Sequence, residues 1–222
     1  MRFGCKLLAV FSLVVALATP CCFAKEPPNL ALAKASVVQY HDSGEYAKDF
    51  KRVIDSAMDY LKHYTKQPRN AQTKPAIILD IDETSLSNYH NLLTLDFGGT
   101  PEDVRRYQDR GEDPALLPTL ALYQFAKKHD IAVIFLTGRI EEERNDTIRN
   151  LKKVGYSNWD GLILRDGPYR NAPAAVYKSS MRKKLTHDGY QIIMNIGDQE
   201  SDFRGGYSGR NYKLPNPFYL IP

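Results

Sequence analysis

Four short apolar runs constrain the fold of this 222-residue chain more than any other feature of its sequence. They are AIIL (76–79), IAVIFL (131–136), LIL (162–164) and QIIMNI (191–196). Each run is continuously apolar, which is typical of a strand buried on both faces. Stretches with helical spacing lie between them, at about 118–129, 141–154 and 174–186. This alternation predicts an α/β fold, with a doubly wound parallel sheet and helices on both faces.

Two further segments are predicted around this core. Apolar residues recur at helical spacing from Glu45 to about Lys66, which indicates an amphipathic helix within an N-terminal helical segment of about 40–70. About fifty residues separate Asp80 from the next strand, whereas a crossover needs only about a dozen or more. The stretch of about 86–117 is therefore predicted to be a small inserted cap, within one domain spanning 25–222.

The C-terminal stretch NYKLPNPFYLI contains two prolines. Proline cannot donate to a strand ladder, so this stretch suits short edge strands or an extended tail. Its apolar end, FYLIP, offers a surface that could pack on a second copy of the chain, which leaves a homodimer open.

The N-terminus has the pattern of a signal peptide. Two basic residues precede an apolar run at Leu7–Leu17, and small residues then occupy the −3 and −1 positions before a cleavage site after Ala24. The run is shorter than the ~20 residues of a spanning helix, so no membrane association is expected after cleavage. Residues 1–24 therefore predict export, to a periplasm or as a secreted protein.

Cysteine usage and charge exclude several classes of function. The three cysteines, Cys5, Cys21 and Cys22, all lie in the predicted leader, so the mature chain has no thiolate nucleophile or thiolate metal site. A lipid anchor at Cys21 or Cys22 is disfavoured because Pro20 precedes them. The chain has 30 basic and 26 acidic residues, and cleavage removes two basic ones. Such a balanced charge argues against a nucleic acid polymer as partner.

Polar residues follow three of the predicted strands directly. They are Asp80 and Asp82 after the first run, Thr137, Gly138 and Arg139 after the second, and Asp198 and Asp202 after the fourth. Because the carboxyl ends of parallel strands share one edge of a sheet, these side chains should converge. Two carboxylates ~5 Å apart repel by roughly 3 kcal/mol at an effective dielectric of ~20, so the group should raise its pKa values or recruit a cation. Oxygen ligands favour Mg²⁺ in a site that handles phosphate.

These residues could supply the groups that phosphoryl transfer requires. Asp80, first after its strand, is placed to be a nucleophile and a metal ligand, and Asp82 to act as an acid and then a base. Thr137 and neighbouring backbone N–H groups could hold phosphoryl oxygens, since Gly138 lets the backbone approach closely. Lys178, in YKSSMRKKL, could neutralise the developing charge.

Four motifs carry a resemblance to a known family. DIDET, LTGR, YKSSMR and GDQESD match, in order and spacing, the motifs of haloacid dehalogenase-type (HAD) phosphatases. The chain resembles the secreted acid phosphatases of HAD subfamily IIIB, in the branch shared with plant acid phosphatases and vegetative storage proteins. NLKKVGYSNWDGLILR and YKLPNPFYLI also resemble that branch, so the likeness runs from about Glu45 to the end.

The resemblance implies a Rossmann-like HAD core and a set of catalytic roles. Asp80 resembles the nucleophile that forms an aspartyl-phosphate, and Asp82 resembles the general acid and base, whose backbone carbonyl also reaches Mg²⁺. Asp198 resembles a second carboxylate on the metal, and Asp202 an outer ligand or the partner that orients the lysine. The implied substrate-binding residues are Thr137, Gly138, Arg139 and Lys178, with Lys178 bridging nucleophile and phosphate.

The implied activity is that of an exported, Mg²⁺-dependent acid phosphatase acting on small phosphate monoesters. Two alternatives stay open at this point. Phosphotransfer to an alcohol uses the same catalytic residues. A non-catalytic storage or binding protein is the other alternative, and the presence of Asp80 argues against it, because some storage relatives lack the nucleophile.

Overall fold

A computed structural model describes residues 25–68 and 72–221 of the chain. The predicted signal peptide, residues 1–24, lies outside the described residues. Two N-terminal helices precede an alternation of strands and helices. In chain order the elements are α1 (Leu30–Asp42), α2 (Glu45–Thr65), β1 (Lys74–Leu79), α3 (Tyr89–Thr94), α4 (Pro101–Gln108), α5 (Leu117–Lys128), β2 (Ala132–Ile140), α6 (Arg144–Lys153), β3 (Gly161–Arg165), α7 (Ala174–His187), β4 (Tyr190–Gly197) and β5 (Arg210–Lys213).

The five strands form one parallel sheet in the order β3-β2-β1-β4-β5. The first strand therefore lies in the centre, with β2 and β4 on either side of it. The chain builds the sheet outward in one direction from β1 through β2 to β3, and then in the other through β4 to β5. A crevice opens at the carboxyl end of the central strand in this topology. The predicted doubly wound α/β fold is confirmed.

Alternate side chains of β1 face two different helical layers. Ile77 and Leu79 belong to the core that contains the apolar faces of α2 and α5. Ala76 and Ile78 belong to a second core, formed with α7. Each fully buried isoleucine or leucine contributes about 1.5–3 kcal/mol, and both faces of the strand carry at least one, so both favour burial. The sheet thus has helices on both faces, as the continuous apolar run predicts.

Helix α2 matches the amphipathic helix expected from Glu45 to about Lys66. Its buried residues are Tyr46, Phe50, Ile54, Ala57 and Leu61, which recur every three or four positions and form one stripe. Across the described ranges, no helix has the length and the apolar character needed to cross a membrane.

Several elements differ from the expectation or were not expected. Helix α1 has no buried residue and no apolar stripe, so its sequence gives no periodic signal. Strand β2 continues to Ile140 with a register irregularity after Leu136, so Thr137 to Arg139 lie within the strand and not after it. The segment of about 86–117, predicted as a cap, contains α3 and α4. The C-terminal stretch supplies both expected features, because the edge strand β5 is followed by an extended tail.

Candidate active site

A cavity of about 940 Å³ lies at the carboxyl edge of the sheet. Strand ends, the segment of α3 and α4, and the C-terminal tail all contribute to its lining. The sequence-predicted residues that line it are Asp80, Asp82, Gly138, Arg139, Lys178 and Asp202. Thr137 and Asp198 are buried and are not among the lining residues. Apart from Lys178, which lies on α7, these residues lie on or after strands β2, β1 and β4. The three strands are neighbours in the sheet, which is why the residues meet.

Three carboxylates form a tight cluster at this edge. Asp80, Asp198 and Asp202 each offer an oxygen, and these oxygens all lie within 4.8 Å of one another. All three residues are buried. Lys178 Nζ donates to Asp80 Oδ1 at 2.9 Å and also to Asp202 Oδ1. One ammonium cannot balance three ionised carboxylates, and an all-oxygen donor set of this kind suits a divalent cation such as Mg²⁺.

Burial and mutual charge set the titration of this cluster. Burial raises the pKa of Asp80 well above its ordinary value, while the ammonium of Lys178 opposes this rise and the carboxylate of Asp202 adds to it. Burial, followed by the charge of Asp202, raises the pKa of Asp198 to about 7. Burial by itself lowers the pKa of Lys178, but the carboxylates of Asp202 and Asp80 outweigh it and raise that pKa. The cluster without a cation therefore retains protons at neutral pH.

Asp82 has a different environment from Asp80. Its carboxylate accepts a hydrogen bond from Arg139 Nη2 at 2.7 Å, and two further bonds from the amides of Asn88 (2.8 Å) and Gln108 (3.0 Å). Burial disfavours its ionised form, but the charge and hydrogen bonds of Arg139 outweigh burial, so the pKa of Asp82 lies below its ordinary value. The side chain of Asp82 thus pairs with Arg139 and stands apart from the three-carboxylate cluster.

Two glycines in the predicted motifs lie where a side chain would affect the site: at Gly138 it would extend into open space, and at Gly197 it would collide with a neighbour. A Cβ at Gly138 would meet no heavy atom within 4 Å, so open space lies beside its backbone in the cavity. The next amide, that of Arg139, donates to Thr137 Oγ1 at 3.1 Å. A Cβ at Gly197 would collide with the carboxylate of Asp202. Glycine at the end of β4 therefore lets Asp202 turn back toward the cluster.

Sequence reasoning missed three buried acids near the cavity, Glu83, Asp113 and Glu143. Glu83 accepts from the backbone N–H of Asn88 at 2.6 Å and from Tyr219 Oη at 2.8 Å, and burial, followed by the charge of Asp82, raises its pKa to about 8. Asp113 accepts from Asn91 at 2.7 Å, and burial raises its pKa to about 6. Glu83 lies inside DIDET and could have been considered, whereas nothing in the local sequence marks Asp113.

The C-terminal tail packs in part on its own chain. Phe218, in the stretch FYLIP that was expected to offer a surface for a second copy, is buried against the rings of Tyr46 and Tyr89. Among the described residues of that stretch, Leu220 is 78% exposed and Ile221 is 37% exposed. The tail folds onto its own chain, where it lines the cavity.

Comparison with known proteins identifies the family. The family model of the HAD superfamily, subfamily IIIB (acid phosphatase), matches residues 23–222. The chain belongs to this family. The resemblance seen in the four motifs is therefore confirmed. The enzyme class, phosphoric monoester hydrolase, is confirmed as well, because the matching family model is that of an acid phosphatase subfamily.

Individual relatives of this acid phosphatase family agree with the assignment. The chain is 37% identical over 191 residues to the stem 28 kDa glycoprotein of Glycine max, covering 82% of this chain and 72% of that protein. It is 36% identical over 189 residues to acid phosphatase 1 of Solanum lycopersicum, covering 83% and 73%. The class C acid phosphatase from Bacillus anthracis superimposes with a TM-score of 0.70 at 21% identity, covering 86% of this chain and 85% of that chain, which shows the same fold.

Proposed function

We propose that the chain is a Mg²⁺-dependent acid phosphatase that hydrolyses small phosphate monoesters through an aspartyl-phosphate on Asp80. The observation that carries this proposal is the position of Asp80. It directly follows the central strand, lines the cavity, shares a 4.8 Å cluster with two further carboxylates and accepts a hydrogen bond from a buried ammonium. A carboxylate with these neighbours is equipped to act as a nucleophile on phosphorus.

The three-carboxylate cluster supplies the candidate ligands for the cation. Asp80, Asp198 and Asp202 would hold Mg²⁺ together with the backbone carbonyl of Asp82, and the ion would neutralise charge on the phosphoryl group. The charge imbalance supports this assignment, because three buried carboxylates face one lysine. Magnesium is favoured over a soft metal because the cluster offers oxygen donors without sulfur or imidazole.

The chain's own residues perform two displacements at phosphorus. In the first, an oxygen of Asp80 bonds to phosphorus, the ester bond to the leaving oxygen breaks, and that oxygen takes a proton from Asp82. In the second, a water gives a proton to Asp82 and its oxygen bonds to phosphorus while the bond from phosphorus to Asp80 breaks, so that the Asp80 carboxylate is restored and inorganic phosphate leaves. Lys178 holds the attacking carboxylate, and Arg139 and the backbone beside Gly138 offer donors to phosphoryl oxygens.

The lowered pKa of Asp82 bears on the working pH. Asp82 must be protonated when the leaving oxygen departs, and its bond to Arg139 favours the ionised form. A phosphate group that enters beside Asp82 raises the pKa of this carboxyl, because like charges disfavour ionisation. The protonated form is still most abundant at low pH, so an acidic optimum follows.

We also infer that the protein is exported. The support is the sequence pattern of residues 1–24, with a basic start, an apolar run and small residues before Ala24. A periplasmic or secreted location follows from that pattern.

The nucleophile is tested by Asp80→Asn together with metal removal. Hydrolysis of an aryl phosphate by the wild-type protein should disappear with chelator and return with Mg²⁺, and Asp80→Asn should lower kcat by at least about 10³-fold, because the amide cannot attack phosphorus. Asp188→Asn is the matched control, since Asp188 is an exposed carboxylate paired with Lys184, and it should keep full activity. Turnover by Asp80→Asn near the wild-type rate would refute the proposal.

A further inference from the structure

The C-terminal tail, Leu214–Ile221, is attached along the carboxyl edge of the sheet. It begins directly after β5, where the Leu214 amide donates to the carbonyl of Gly197 at 2.8 Å. Leu214 and Phe218 are buried, and the ring of Phe218 lies 5.2–6.1 Å from those of Tyr89 and Phe97. The tail is thus fixed at two points, on the strand that ends beside Asp198 and on the segment that lines the cavity.

Asn216 lies between these two points, and both ends of its side chain are engaged. Its Nδ2 donates to Asp198 Oδ2 at 2.6 Å. Its Oδ1 accepts from the backbone amides of Phe218 at 2.8 Å and Tyr219 at 3.4 Å. Because the oxygen end is held by the tail's own backbone, the NH₂ end is aimed at the carboxylate of Asp198.

The amide of Gln199 holds the same oxygen of Asp198. Gln199 Nε2 donates to Asp198 Oδ2 at 2.6 Å, and Gln199 Oε1 accepts from the backbone amide of Ile221 at 3.0 Å. The other carboxylate oxygen, Oδ1, has the longer contact of 3.4 Å from Thr84 Oγ1. Two strong donors on Oδ2 therefore fix the carboxylate plane and leave Oδ1 available for a cation.

Tyr219 attaches the tail to the other side of the cluster. Its hydroxyl donates to Glu83 Oε2 at 2.8 Å, and Glu83 Oε1 accepts from the backbone N–H of Asn88 at 2.6 Å. Glu83 directly follows Asp82, and Asn88 also donates to Asp82 Oδ1. The tail thus contacts both loops that carry the predicted acids, one through Asp198 and the other through Glu83.

We propose that Asn216 is a positioning residue that orients Asp198 for the cation, and that Tyr219 positions the Asp82 loop through Glu83, an inference that rests on the proposed function. Partners that orient a metal ligand typically change metal affinity by about 10- to 100-fold when they are removed. Excess metal compensates for such a defect, whereas a defect in the acid–base loop persists at saturating metal. Loss of the Asn216 contact should therefore be rescued by excess Mg²⁺, whereas loss of the Tyr219 contact should not.

The variant Asn216→Ser tests the first half. A serine oxygen can accept from the Phe218 amide and keep the turn, but it is too short to reach Asp198. Calorimetric titration of the full chain with MgCl₂, without substrate, should give a dissociation constant raised about 10- to 100-fold, and saturating Mg²⁺ should restore most of kcat. Asn211→Ser, the same change at an exposed asparagine on β5, should bind Mg²⁺ like the wild type.

The outcomes separate this proposal from the proposed function. Equal Mg²⁺ affinity of Asn216→Ser and the wild type would overturn the role of Asn216 while leaving the phosphatase assignment intact. A wild-type chain that binds no Mg²⁺ would overturn both.

Tyr219→Phe is the second variant, because it removes one hydroxyl and keeps the ring. It should lower kcat about fivefold at saturating Mg²⁺ with an unchanged Mg²⁺ dissociation constant. An unchanged kcat would refute the role of Tyr219.

Discussion

Asp80 and Asp82 are separated by one residue, yet their surroundings move their pKa values in opposite directions. Burial dominates at Asp80 and raises its pKa, although Lys178 partly opposes it. At Asp82 the guanidinium of Arg139 outweighs burial and lowers the pKa. Two carboxyls whose environments separate their titration in this way are suited to different chemical roles. Asp82 is the group whose proton should control the pH dependence of the reaction.

Replacing Arg139 by lysine tests this control at the residue scale. Lysine keeps the positive charge but cannot make the two parallel N–H bonds of a guanidinium. The ionised form of Asp82 is then stabilised less against the effect of burial, so the pKa of Asp82 rises. Because the proposed acid must be protonated, activity is lost above its pKa, and the alkaline limb of the kcat–pH profile should move to higher pH. The lost bonds should also lower kcat/KM about tenfold. Stopped assays with an aryl phosphate from pH 4 to pH 9 measure both.

Arg105 supplies the control for this measurement. It lines the same cavity, whereas the described side-chain hydrogen bonds to Asp82 come from Arg139, Asn88 and Gln108. Arg105→Lys should therefore leave the alkaline limb in place. A limb that stays fixed in Arg139→Lys would show that Asp82 is not the acid that limits turnover.

At the scale of the element, α7 places two cations on one face. Lys178 and Arg182 are four residues apart, and both reach toward Asp202. Lys178 binds its carboxylate, while Arg182 Nη1 donates to its backbone carbonyl and the other guanidinium nitrogens donate to the carbonyls of Gly206 and Arg204. Arg182 is fully buried. The helix thus fixes both the carboxylate of Asp202 and the loop that carries it.

Arg182→Met should destabilise the protein. Methionine fills a similar volume but cannot donate hydrogen bonds, so three backbone carbonyls each lose a donor, two of them in the loop after Asp202. The free energy of unfolding should therefore fall by about 3 kcal/mol. Urea denaturation monitored by fluorescence measures this change. Lys184→Met is the control on the same helix, because Lys184 pairs with Asp188 at the surface, and its effect should stay within about 0.5 kcal/mol. Equal effects of the two variants would contradict the role assigned to Arg182.

At the scale of the whole molecule, the sequence predicts features that depend on neighbouring residues, and it misses contacts between residues that are far apart along the chain. The strands and the residues after them were predictable because Asp80 and Asp198 adjoin apolar runs. Helix α1 was not, because its apolar residues form no stripe and none is buried. The contact between Glu83 and Tyr219 joins residues 136 positions apart. Glu83 lies inside the motif DIDET, but no local pattern indicates that Tyr219 is its partner. Sequence reasoning therefore found the cluster and the tail but not the contacts between them.

The whole cluster also makes folding depend on pH. The carboxyl pKa values of Asp80, Asp198 and Glu83 are raised in the folded protein, to about 7 for Asp198 and about 8 for Glu83, whereas unfolded carboxyls titrate near pH 4. Between about pH 4 and pH 8 the folded state therefore binds more protons than the unfolded chain. Stability falls with rising pH wherever the folded state binds more protons. Asp82 does not oppose this trend, because its lowered pKa confines its titration to more acidic solution.

The metal-free protein should accordingly be less stable at pH 8 than at pH 5. Each pKa unit corresponds to about 1.4 kcal/mol, so the loss should exceed about 2 kcal/mol, or roughly 5 °C in Tm for a domain of this size. Mg²⁺ binds the ionised carboxylates in competition with protons, so the rise in Tm that it causes should be larger at pH 8. Calorimetric scans in chelator and in MgCl₂ at both pH values measure these shifts. Asp198→Asn, which cannot ionise at this position, should make the pH dependence in chelator smaller, and Asp80 and Glu83 should account for what remains. A metal-free Tm that is the same at pH 5 and pH 8 would mean that these buried carboxyls do not hold their protons.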